Sequence, residues 1–336
     1  MAKSALIIGG TGQIGSAVGR RLAAGGWQVT LAQRGLRPSD EPPGGAQRVM
    51  FDREAPNGLA GVIKGGVDAI IDTVAYDEPH ARSLLEVQVD VGAYIVISSA
   101  SVYQDAAGRS LDEADKTGFP RLPEPISETQ PTVGAGPETY STRKVALEQT
   151  LLQHSNRPVT IVRPCAIYGP GSHHPREWFF VKRILDKRSA VPLAFDGESQ
   201  FHTSATSNIA ELIAVALEAP KTQILNAADA EALSVRAIGE AIARNYDHEL
   251  SMAPFNGPPV GAVGSSPWGV PRPFVVDMSR AHALGYRPVT TYQNAVGEAC
   301  RSAETMSRQG VDFPPYLATM FDYAGEDSFL VGRQPV

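Results

Sequence analysis

The sequence predicts an α/β protein built on a doubly wound parallel sheet, and three observations support this. Short apolar runs alternate with stretches whose apolar residues recur every four positions, which is typical of strands alternating with helices. The first run, Ala5 to Ile8, leads directly into a glycine-rich turn, and Tyr140 and Lys144 open a later helical stretch. In such folds the functional residues lie at the carboxyl ends of the strands.

The composition excludes several classes of function. The 336 residues are 43% hydrophobic and 20% charged, and the formal net charge is −6. This charge gives no basic surface for nucleic acid or for an anionic membrane, and no apolar run is long enough to span a bilayer. We therefore expect a cytoplasmic protein that binds a small-molecule substrate. Cys165 and Cys300 lie far apart and are expected to be buried thiols rather than metal ligands.

Three glycines stand between the first strand and the first helix. At this spacing the first glycine permits a tight turn, the second lets the backbone approach a pyrophosphate, and the third lets the helix pack closely on the strand. Gly25-Gly26 end the helix before a second alternating strand, which completes a βαβ unit. We therefore predict a Rossmann-type dinucleotide site. Its predicted binding residues are Gly9, Thr11, Gly12, Gln13, Ile14 and Gly15.

The second strand ends just before Arg34, where a site that prefers NAD usually has an acidic residue for the ribose 2′-hydroxyl. The guanidinium of Arg34 suits a 2′-phosphate, so the sequence favours NADP, with NAD as the alternative. A solvated turn arginine is the other interpretation. Asp52 follows the third strand and is expected either to accept from the adenine amine or to cap a turn. Ala75 ends the predicted fourth strand and completes the candidate cofactor residues.

Tyr140 and Lys144 share one face of a predicted helix, because they are one turn apart. An ammonium near a phenol favours the phenolate and lowers the phenol's pKa toward working pH, where general acid/base transfer is efficient. The alternative is an ordinary solvated helix surface. A strand from Ala93 to Ile97 delivers Ser98, Ser99 and Ser101 to the sheet edge. Residues 104–138, acidic and rich in proline, are expected to form a lid, or else a surface insertion without a role.

The regular alternation stops after Pro164, which predicts a second, smaller α/β domain at the C-terminal side. The dinucleotide-binding domain is predicted at 1–164, with 203–228 returning to it. The substrate domain is predicted at 165–202 and 229–336.

Two features of the second domain bear on substrate. His173 and the adjacent His174 lie in a loop and lack the further ligands of a metal site, so they are expected to contact substrate or solvent. Arg183 lies on the basic side of a predicted helix, where it meets an anionic substrate or water. No metal is therefore predicted.

Together, the motifs resemble the short-chain dehydrogenase/reductase superfamily and, within its extended branch, the NAD-dependent epimerase/dehydratase family. The resemblance covers nearly the whole chain and rests on Gly9 to Gly15, Ser98 to Tyr103, Tyr140 to Lys144 with Glu148, Arg163 to Pro170 and Asp277 to Tyr286. It implies that Tyr140 exchanges a proton with a substrate hydroxyl or carbonyl and that Ser99 hydrogen-bonds the reacting oxygen. It also implies that Lys144 lowers the pKa of Tyr140 and holds the nicotinamide ribose, and that the protein is a homodimer.

Several departures from the family pattern narrow the expected reaction. Members that dehydrate sugars carry two carboxylates where this chain has Ala100 and Ser101. Nucleotide-sugar enzymes commonly have an asparagine at the position of Ala166, and a basic residue where this chain offers only Gln200 and His202. The stretch between the catalytic serine and tyrosine is also longer than a sugar epimerase needs, which indicates a remodelled substrate pocket.

We therefore favour an NAD(P)-dependent oxidoreductase that acts on a carbonyl or alcohol of a small metabolite. The alternative is a nucleotide-sugar epimerase with tightly bound, internally recycled NAD. A dinucleotide-sensing or RNA-binding module, as in some chloroplast relatives, is disfavoured by the catalytic residues and by the negative charge. The candidate substrate contacts are Ser101, His173, Arg183 and His202.

Overall fold

The structure is a computed structural model that describes residues 2–35, 45–55, 58–63 and 65–332. In chain order, the strands are β1 (Ser4–Ile8), β2 (Gln28–Gln33), β3 (Gln47–Met50), β4 (Val67–Asp72), β5 (Val91–Ile97), β6 (Val159–Pro164), β7 (Ala166–Tyr168), β8 (Ala190–Leu193), β9 (Thr203–Ala205), β10 (Gln223–Ala227) and β11 (Ser251–Pro254). The helices are α1 (Gln13–Ala24), α2 (Gly58–Val62), α3 (Glu78–Leu85), α4 (Ala114–Thr117), α5 (Tyr140–His154), α6 (Trp178–Leu185), α7 (Thr206–Ala216), α8 (Val235–Ala243), α9 (Ser279–Ala283), α10 (Tyr292–Arg308), α11 (Pro315–Ala318) and α12 (Tyr323–Val331).

Seven strands form one parallel sheet in the order β10-β6-β5-β4-β1-β2-β3. The chain runs outward from β1 through β2 to β3, then returns to the other side of β1 and runs outward again from β4. This reversal beside β1 is the topological switch point at which doubly wound sheets bind their ligands. The predicted fold class, an α/β Rossmann-type sheet with a smaller α/β part, is confirmed.

The central strands read as continuous apolar runs because both of their faces are buried. Ile7, Ile70 and Ile71 are fully buried, and β1 pairs with β4 so that Ile8 lies opposite Asp72. Helix α1 packs against α7, and α3 packs against α5. Strand β4 ends earlier than predicted, because the carboxylate of Asp72 accepts from the amide of Val74 at 3.0 Å and turns the chain.

The chain forms two compact units. The first contains Met1–Cys165, Thr206–Ala228 and Val276–Val289. The second contains Ala166–Ala205, Asp229–Val275 and Thr290–Val336. The structure differs from the predicted division mainly at 276–289, which was expected in the substrate domain.

Hydrogen bonds explain why this late segment lies with the first unit. The side-chain amide of Asn226 donates to the carbonyl oxygen of Asp277 at 3.1 Å, and the amide of Val289 donates to Asn208 Oδ1 at 2.9 Å. Asn226 lies on β10 and Asn208 lies on α7, both in the segment that returns to the first unit. Such pairings join residues distant in sequence, so local patterns carry no signal for them.

The second unit has its own sheets and its own core. Strands β7 and β9 pair in parallel, as do β8 and β11. Buried aromatic side chains, among them Phe179, Phe180 and Trp268, fill the space between its helices. That this unit binds substrate stays a prediction. Within the described ranges of the chain, no helix has both the length and the apolar character that crossing a bilayer requires.

Candidate active site

The glycine-rich turn after β1 forms a tight cradle at the start of α1. Gly9 has a φ of +80°, a conformation that favours glycine. A Cβ atom on Gly15 would lie 2.2 Å from the carbonyl oxygen of Gly9, so only glycine lets α1 approach the turn this closely. Gly10, which sequence reasoning passed over, is equally constrained, since its Cβ would lie 2.7 Å from the Leu31 Cβ.

This cradle fits a dinucleotide pyrophosphate. Gly12 is the extended residue before α1, the helix has no acidic residue in its first turn, and no side chain caps its first amides. Amides at a helix N-terminus bind anions, and the turn holds them where backbone approach is unobstructed. The residues present therefore suit the cofactor predicted from the sequence. The individual contacts of Thr11, Gln13 and Ile14 stay predictions.

The remaining cofactor candidates occupy different surroundings. Arg34 follows β2 and is exposed, which leaves its guanidinium accessible to a ligand. Asp52 is also exposed and accepts from the amide of Glu54 at 3.1 Å, so it does cap a turn, and its adenine contact stays a prediction. Ala75 is fully buried, and its functional atom is the carbonyl oxygen.

Lys144 lies in α5 near the carboxyl ends of β4 and β5, and only 5% of its surface is exposed. Its Nζ donates to the carbonyl oxygens of Ala75 at 2.5 Å and Ile97 at 3.0 Å. Lys144 therefore connects the segment just after β4 with the last residue of β5. Burial lowers the pKa of Lys144 to about 8, against the opposing attraction of the Asp72 and Glu148 carboxylates. The ammonium is held in place by the backbone rather than by a neighbouring carboxylate.

Tyr140 begins α5 and has 40% of its surface exposed. Its ring centroid lies 5.6 Å from Lys144 Nζ, and the Ser99 side chain is near enough to lower the pKa of the phenol. Burial removes water from the phenol and raises the pKa of Tyr140 to about 12, although the interaction with the Ser99 side chain lowers it. This direction differs from the expectation that Lys144 lowers the pKa, because burial outweighs the interactions that favour the phenolate.

A groove opens beside these residues within the first unit. Its volume is about 500 Å³, and its lining includes Asp77, Glu78, Pro79, Gly136, Pro137 and Arg143. The guanidinium of Arg143 lies 5.4 Å from the ring of Tyr76, whose centroid is 5.7 Å from that of Tyr140. Arg143, which lines the groove, therefore contacts Tyr76, and Tyr76 packs beside Tyr140. The sequence did not mark Tyr76 as functional.

A buried network supports the serine strand from below. Glu148 accepts from Ser98 Oγ at 2.5 Å and from Arg163 Nε at 3.0 Å, and the guanidinium also lies 5.0 Å from the ring of Tyr103. Tyr103 in turn donates to Asn226 Oδ1 at 2.6 Å. Glu148 and Arg163 belong to the recognised motifs, but their mutual ion pair fixes the backbone that presents Ser99 and was not predicted.

Most of the chain matches the model of one known protein family. Residues 5–228 match the model of the NAD dependent epimerase/dehydratase family. The chain belongs to this family. The glycine turn, the serine strand and α5 all fall inside the matched range, so the motifs that suggested the resemblance are the ones that carry the membership.

Curated relatives in this family match parts of the chain. The chloroplast stem-loop binding protein of 41 kDa b from Arabidopsis thaliana is 28% identical over 205 residues, which cover 56% of this chain and 49% of that protein. The 2′-dehydrokanamycin reductase of Streptomyces kanamyceticus is 29% identical over 147 residues, which cover 44% of this chain and 37% of that protein. The chain thus spans about half or less of the length of these relatives.

Solved structures of the family share the fold over nearly the whole chain. The dTDP-glucose 4,6-dehydratase of Bacillus anthracis str. Ames, solved in complex with NAD, has a TM-score of 0.68 and 17% identity, and covers 93% of this chain and 100% of its own. MoeE5, solved in complex with UDP-glucose and NAD, has a TM-score of 0.64 and 19% identity, and covers 92% of this chain and 100% of its own. At such identities the likeness shows a common fold.

The predicted substrate residues of this family member fall into two groups. Ser101, in the first unit, is half-buried and accepts from Ser141 Oγ at 2.8 Å. In the second unit, His173 is half-buried in the loop after β7. His202 is buried with Nε2 2.9 Å from the carbonyl oxygen of Asp229, and burial lowers its pKa. Contact of these three with substrate stays a prediction.

Arg183 has a different environment from the one predicted. It is 1% exposed, forms an ion pair with Glu326, and donates to the carbonyl oxygens of Phe179 and Met320, each at 2.7 Å. Its guanidinium also lies 3.9 Å from the ring centroid of Phe179. These partners make it a core residue of the second unit, so we leave it out of the proposed site.

The last features are the two cysteines and the side chains that could bind a metal. Cys300 is buried and Cys165 is half-buried, and the two are not joined in a disulfide. Across the part of the chain that the structure describes, no three histidine, cysteine or acidic side chains come together as a metal-binding group. His174 instead stacks near Tyr316, with ring centroids 6.4 Å apart.

Proposed function

We propose that this chain is an NAD(P)-dependent oxidoreductase of the extended short-chain dehydrogenase/reductase type, acting on a carbonyl or alcohol of a small metabolite. The observation that carries the proposal is the arrangement at the start of α5, where the ring centroid of Tyr140 lies 5.6 Å from Lys144 Nζ and the Ser99 side chain lowers the pKa of the phenol. A phenol, a hydroxyl and a cation in contact suit proton transfer to a single oxygen atom.

The residues divide the proton chemistry as follows. During reduction, Tyr140 donates its proton to the carbonyl oxygen of the substrate, while Ser99 donates a hydrogen bond to the same oxygen. During oxidation, Tyr140 accepts the proton of the substrate hydroxyl. Lys144 stabilises the phenolate through its positive charge. When bound, the nicotinamide supplies or accepts the hydride.

The cofactor is proposed to be NADP, with NAD as the alternative. The cradle of Gly9, Gly12 and Gly15 would hold the pyrophosphate, and the exposed Arg34 would bind a 2′-phosphate through its guanidinium. The alternative is supported by the family name and by solved members that contain NAD.

A reductase is favoured over a dehydratase because Ala100 and Ser101 stand where dehydratases of the family carry carboxylates. The similarity to 2′-dehydrokanamycin reductase supports the same choice. We propose that the groove beside Tyr76 receives the part of the substrate remote from the reacting carbon. Both acidic and basic side chains line that groove, which suits a polar metabolite.

A nucleotide-sugar epimerase is the second candidate. Solved structures of UDP-galactose 4-epimerase and UDP-glucuronic acid 4-epimerase have this fold, with TM-scores of 0.64 and 0.65. An epimerase of this kind keeps its NAD bound and recycles the hydride internally. Such an enzyme consumes no external cofactor, which makes the two candidates separable.

The test is to denature the gently purified protein, identify any released nucleotide, and titrate the stripped protein with NADPH and NADH. NADPH binding that is at least about tenfold tighter than NADH binding, and that loses this preference in R34A, supports the proposal. Stoichiometric NAD that survives purification and supports epimerisation contradicts it. Y140F serves as the activity control, because it removes the acid/base hydroxyl and leaves the cofactor cradle unchanged.

The match to a stem-loop binding protein raises RNA binding as a further possibility. The net charge of −6 opposes it, because phosphate backbones bind basic surfaces. A Y140F variant with full biological activity would revive it. Dimerisation and the cytoplasmic location stay predictions.

A further inference from the structure

The first turn of α5 leaves backbone amides that need acceptors from outside the helix. Thr139 and Thr142 satisfy one pair reciprocally: Thr139 Oγ1 accepts from the Thr142 amide at 3.2 Å, and Thr142 Oγ1 accepts from the Thr139 amide at 2.8 Å. The amide of Ser141, directly after Tyr140, donates instead to Asp112 Oδ2 at 2.7 Å. Asp112 belongs to the long insertion at 104–138, so this insertion supplies part of the cap of the catalytic helix.

The same contact continues to the serine strand. Ser141 Oγ lies 2.8 Å from Ser101 Oγ and 3.0 Å from the Ser101 carbonyl oxygen, and donates its proton to this residue. The amide of Ser101 donates to Ser99 Oγ at 3.1 Å. A line of hydrogen bonds therefore runs from Asp112 to Ser99, and Tyr140 is adjacent to both of its ends.

Asp112 also acts through its charge. It is exposed, and it forms no ion pair with any residue in the described ranges of the chain. A carboxylate at a helix N-terminus interacts favourably with the helix dipole. Burial and the neighbouring Tyr76 raise the pKa of Tyr140, and the negative charge of Asp112 adds a smaller effect in the same direction. Near a carboxylate, the phenol holds its proton more tightly.

We propose that Asp112 is a positioning residue of this site, which fixes the start of α5 and thereby the position of Tyr140. The proposal rests on the proposed function of Tyr140 and gives the insertion a role in the reaction. This role explains why the insertion at 104–138 supplies an acceptor for the Ser141 amide in the first turn of α5. Asp112 touches no reacting atom, so its effect is transmitted through Ser141 and through its charge.

Two substitutions separate these effects. Asp112→Asn keeps an oxygen that accepts from the Ser141 amide but removes the charge. We expect the limb of the pH–rate profile that reports Tyr140 to move to lower pH by about half a unit, the size of one screened like charge. Hydrogen exchange at the Ser141 amide is expected to stay within about threefold of the wild type. Asp112→Ala removes both, and exchange at Ser141 is expected to rise about tenfold or more.

Asp115→Asn is the matched control, because Asp115 is an exposed carboxylate of the same insertion. It is expected to change neither the exchange at Ser141 nor the pH–rate profile. Thermal unfolding of each variant checks that the fold is retained before exchange is compared.

Unchanged exchange at Ser141 in D112A overturns the proposal, whatever the activity. An unshifted profile in D112N overturns the charge effect. Hydrogen exchange needs neither cofactor nor turnover, so the two proposals fail separately. Faster exchange in D112A from a protein that oxidises no substrate and binds no NADPH or NADH supports the positioning contact and contradicts the proposed function.

Discussion

Lys144 Nζ donates a hydrogen bond of 2.5 Å to the carbonyl oxygen of Ala75. A backbone carbonyl in the segment after β4 therefore holds the ammonium group of α5 in place without any bound ligand. A buried ammonium loses hydration, and two carbonyl oxygens replace only part of it. The site therefore holds its cation at a cost to folding, which can be measured.

That cost predicts a stability that depends on pH above neutrality. The folded protein lowers the pKa of Lys144 to about 8 by burial, whereas an unfolded lysine titrates near ~10.4. Between these values the unfolded chain binds the proton and the folded protein does not, so Lys144 makes stability rise with pH in this window. We expect the wild type to gain about 1–2 kcal/mol relative to K144M between neutral pH and about pH 9.5, measured by urea unfolding.

The control for that measurement is K116M, which removes an exposed lysine of α4. It is expected to follow the wild type at every pH. A K144M variant whose stability runs parallel to the wild type through this window would show that Lys144 has an ordinary pKa. K144M is also expected to lose turnover, because no cation then stabilises the phenolate of Tyr140.

The glycine turn predicts different effects on stability for alanine at Gly15 and at Gly12. Alanine normally stabilises a helix interior relative to glycine by about 1 kcal/mol. Gly15→Ala is nevertheless expected to lower the free energy of unfolding by about 2–3 kcal/mol, because the methyl group would lie 2.2 Å from the Gly9 carbonyl oxygen. The new Cβ of Gly12→Ala meets only that oxygen, at 3.2 Å, so the fold is expected to change by less than about 1 kcal/mol.

Binding separates the same pair further. G12A is expected to weaken NADPH about tenfold or more in a fluorescence titration, because its methyl group lies where the backbone approaches the pyrophosphate. A stable G15A protein would contradict the packing role of Gly15. A G12A protein with wild-type affinity would place the dinucleotide elsewhere.

Much of this architecture could be predicted from local pattern. The structure has the predicted helix beginning at Tyr140 and the predicted strands ending at Ile8 and Ile97, because apolar periodicity and turn residues determine such elements locally. The glycine roles followed in the same way, since a tight turn and a close helix approach are properties of a few consecutive residues.

Contacts between distant segments could not be predicted in this way. Nothing near Asp112 marks it as the acceptor for Ser141, and Arg183 reads as a surface cation until Glu326 is packed against it. The pKa of Tyr140 was expected to fall because helical spacing puts Lys144 on its face. Its direction depends on how much water the folded chain removes from the phenol, and packing between distant segments, such as Tyr76 against Tyr140, determines that.

Acid stability is expected to depend on Asp105, inside the insertion. Burial opposes its ionisation, but hydrogen bonds from the backbone amides of Arg121, Arg109 and Ala107 and from the Arg109 side chain hold its pKa well below the usual range. Its stabilising contribution is therefore complete above about pH 4 and is lost as pH falls further. D105N is expected to cost about 2–4 kcal/mol at neutral pH and progressively less in acid.

Urea unfolding of D105N and the wild type across the acid range measures this difference. E113Q, which neutralises an exposed carboxylate of the same insertion, is the control and is expected to leave the acid profile unchanged. A D105N curve displaced equally at all pH values would mean that the Asp105 carboxyl has no lowered pKa.

Glu177, in the second unit, is expected to show the reverse dependence. Burial raises the pKa of its carboxyl to about 7, against smaller opposing effects from its own backbone amide, Arg176 and the Tyr292 hydroxyl 3.5 Å away. Between about pH 4.3 and 7 the folded protein binds a proton that the unfolded chain has released, so this group makes stability fall as pH rises. E177Q keeps the shape without the charge and is expected to be about 1–3 kcal/mol more stable than the wild type above pH 7, relative to their difference in acid.

Urea unfolding at several pH values measures this difference, and E240Q, which neutralises an exposed glutamate of α8, is the control. A constant difference between E177Q and the wild type from acid to alkaline pH would refute the raised pKa, because a carboxyl that titrates normally adds no slope in this window.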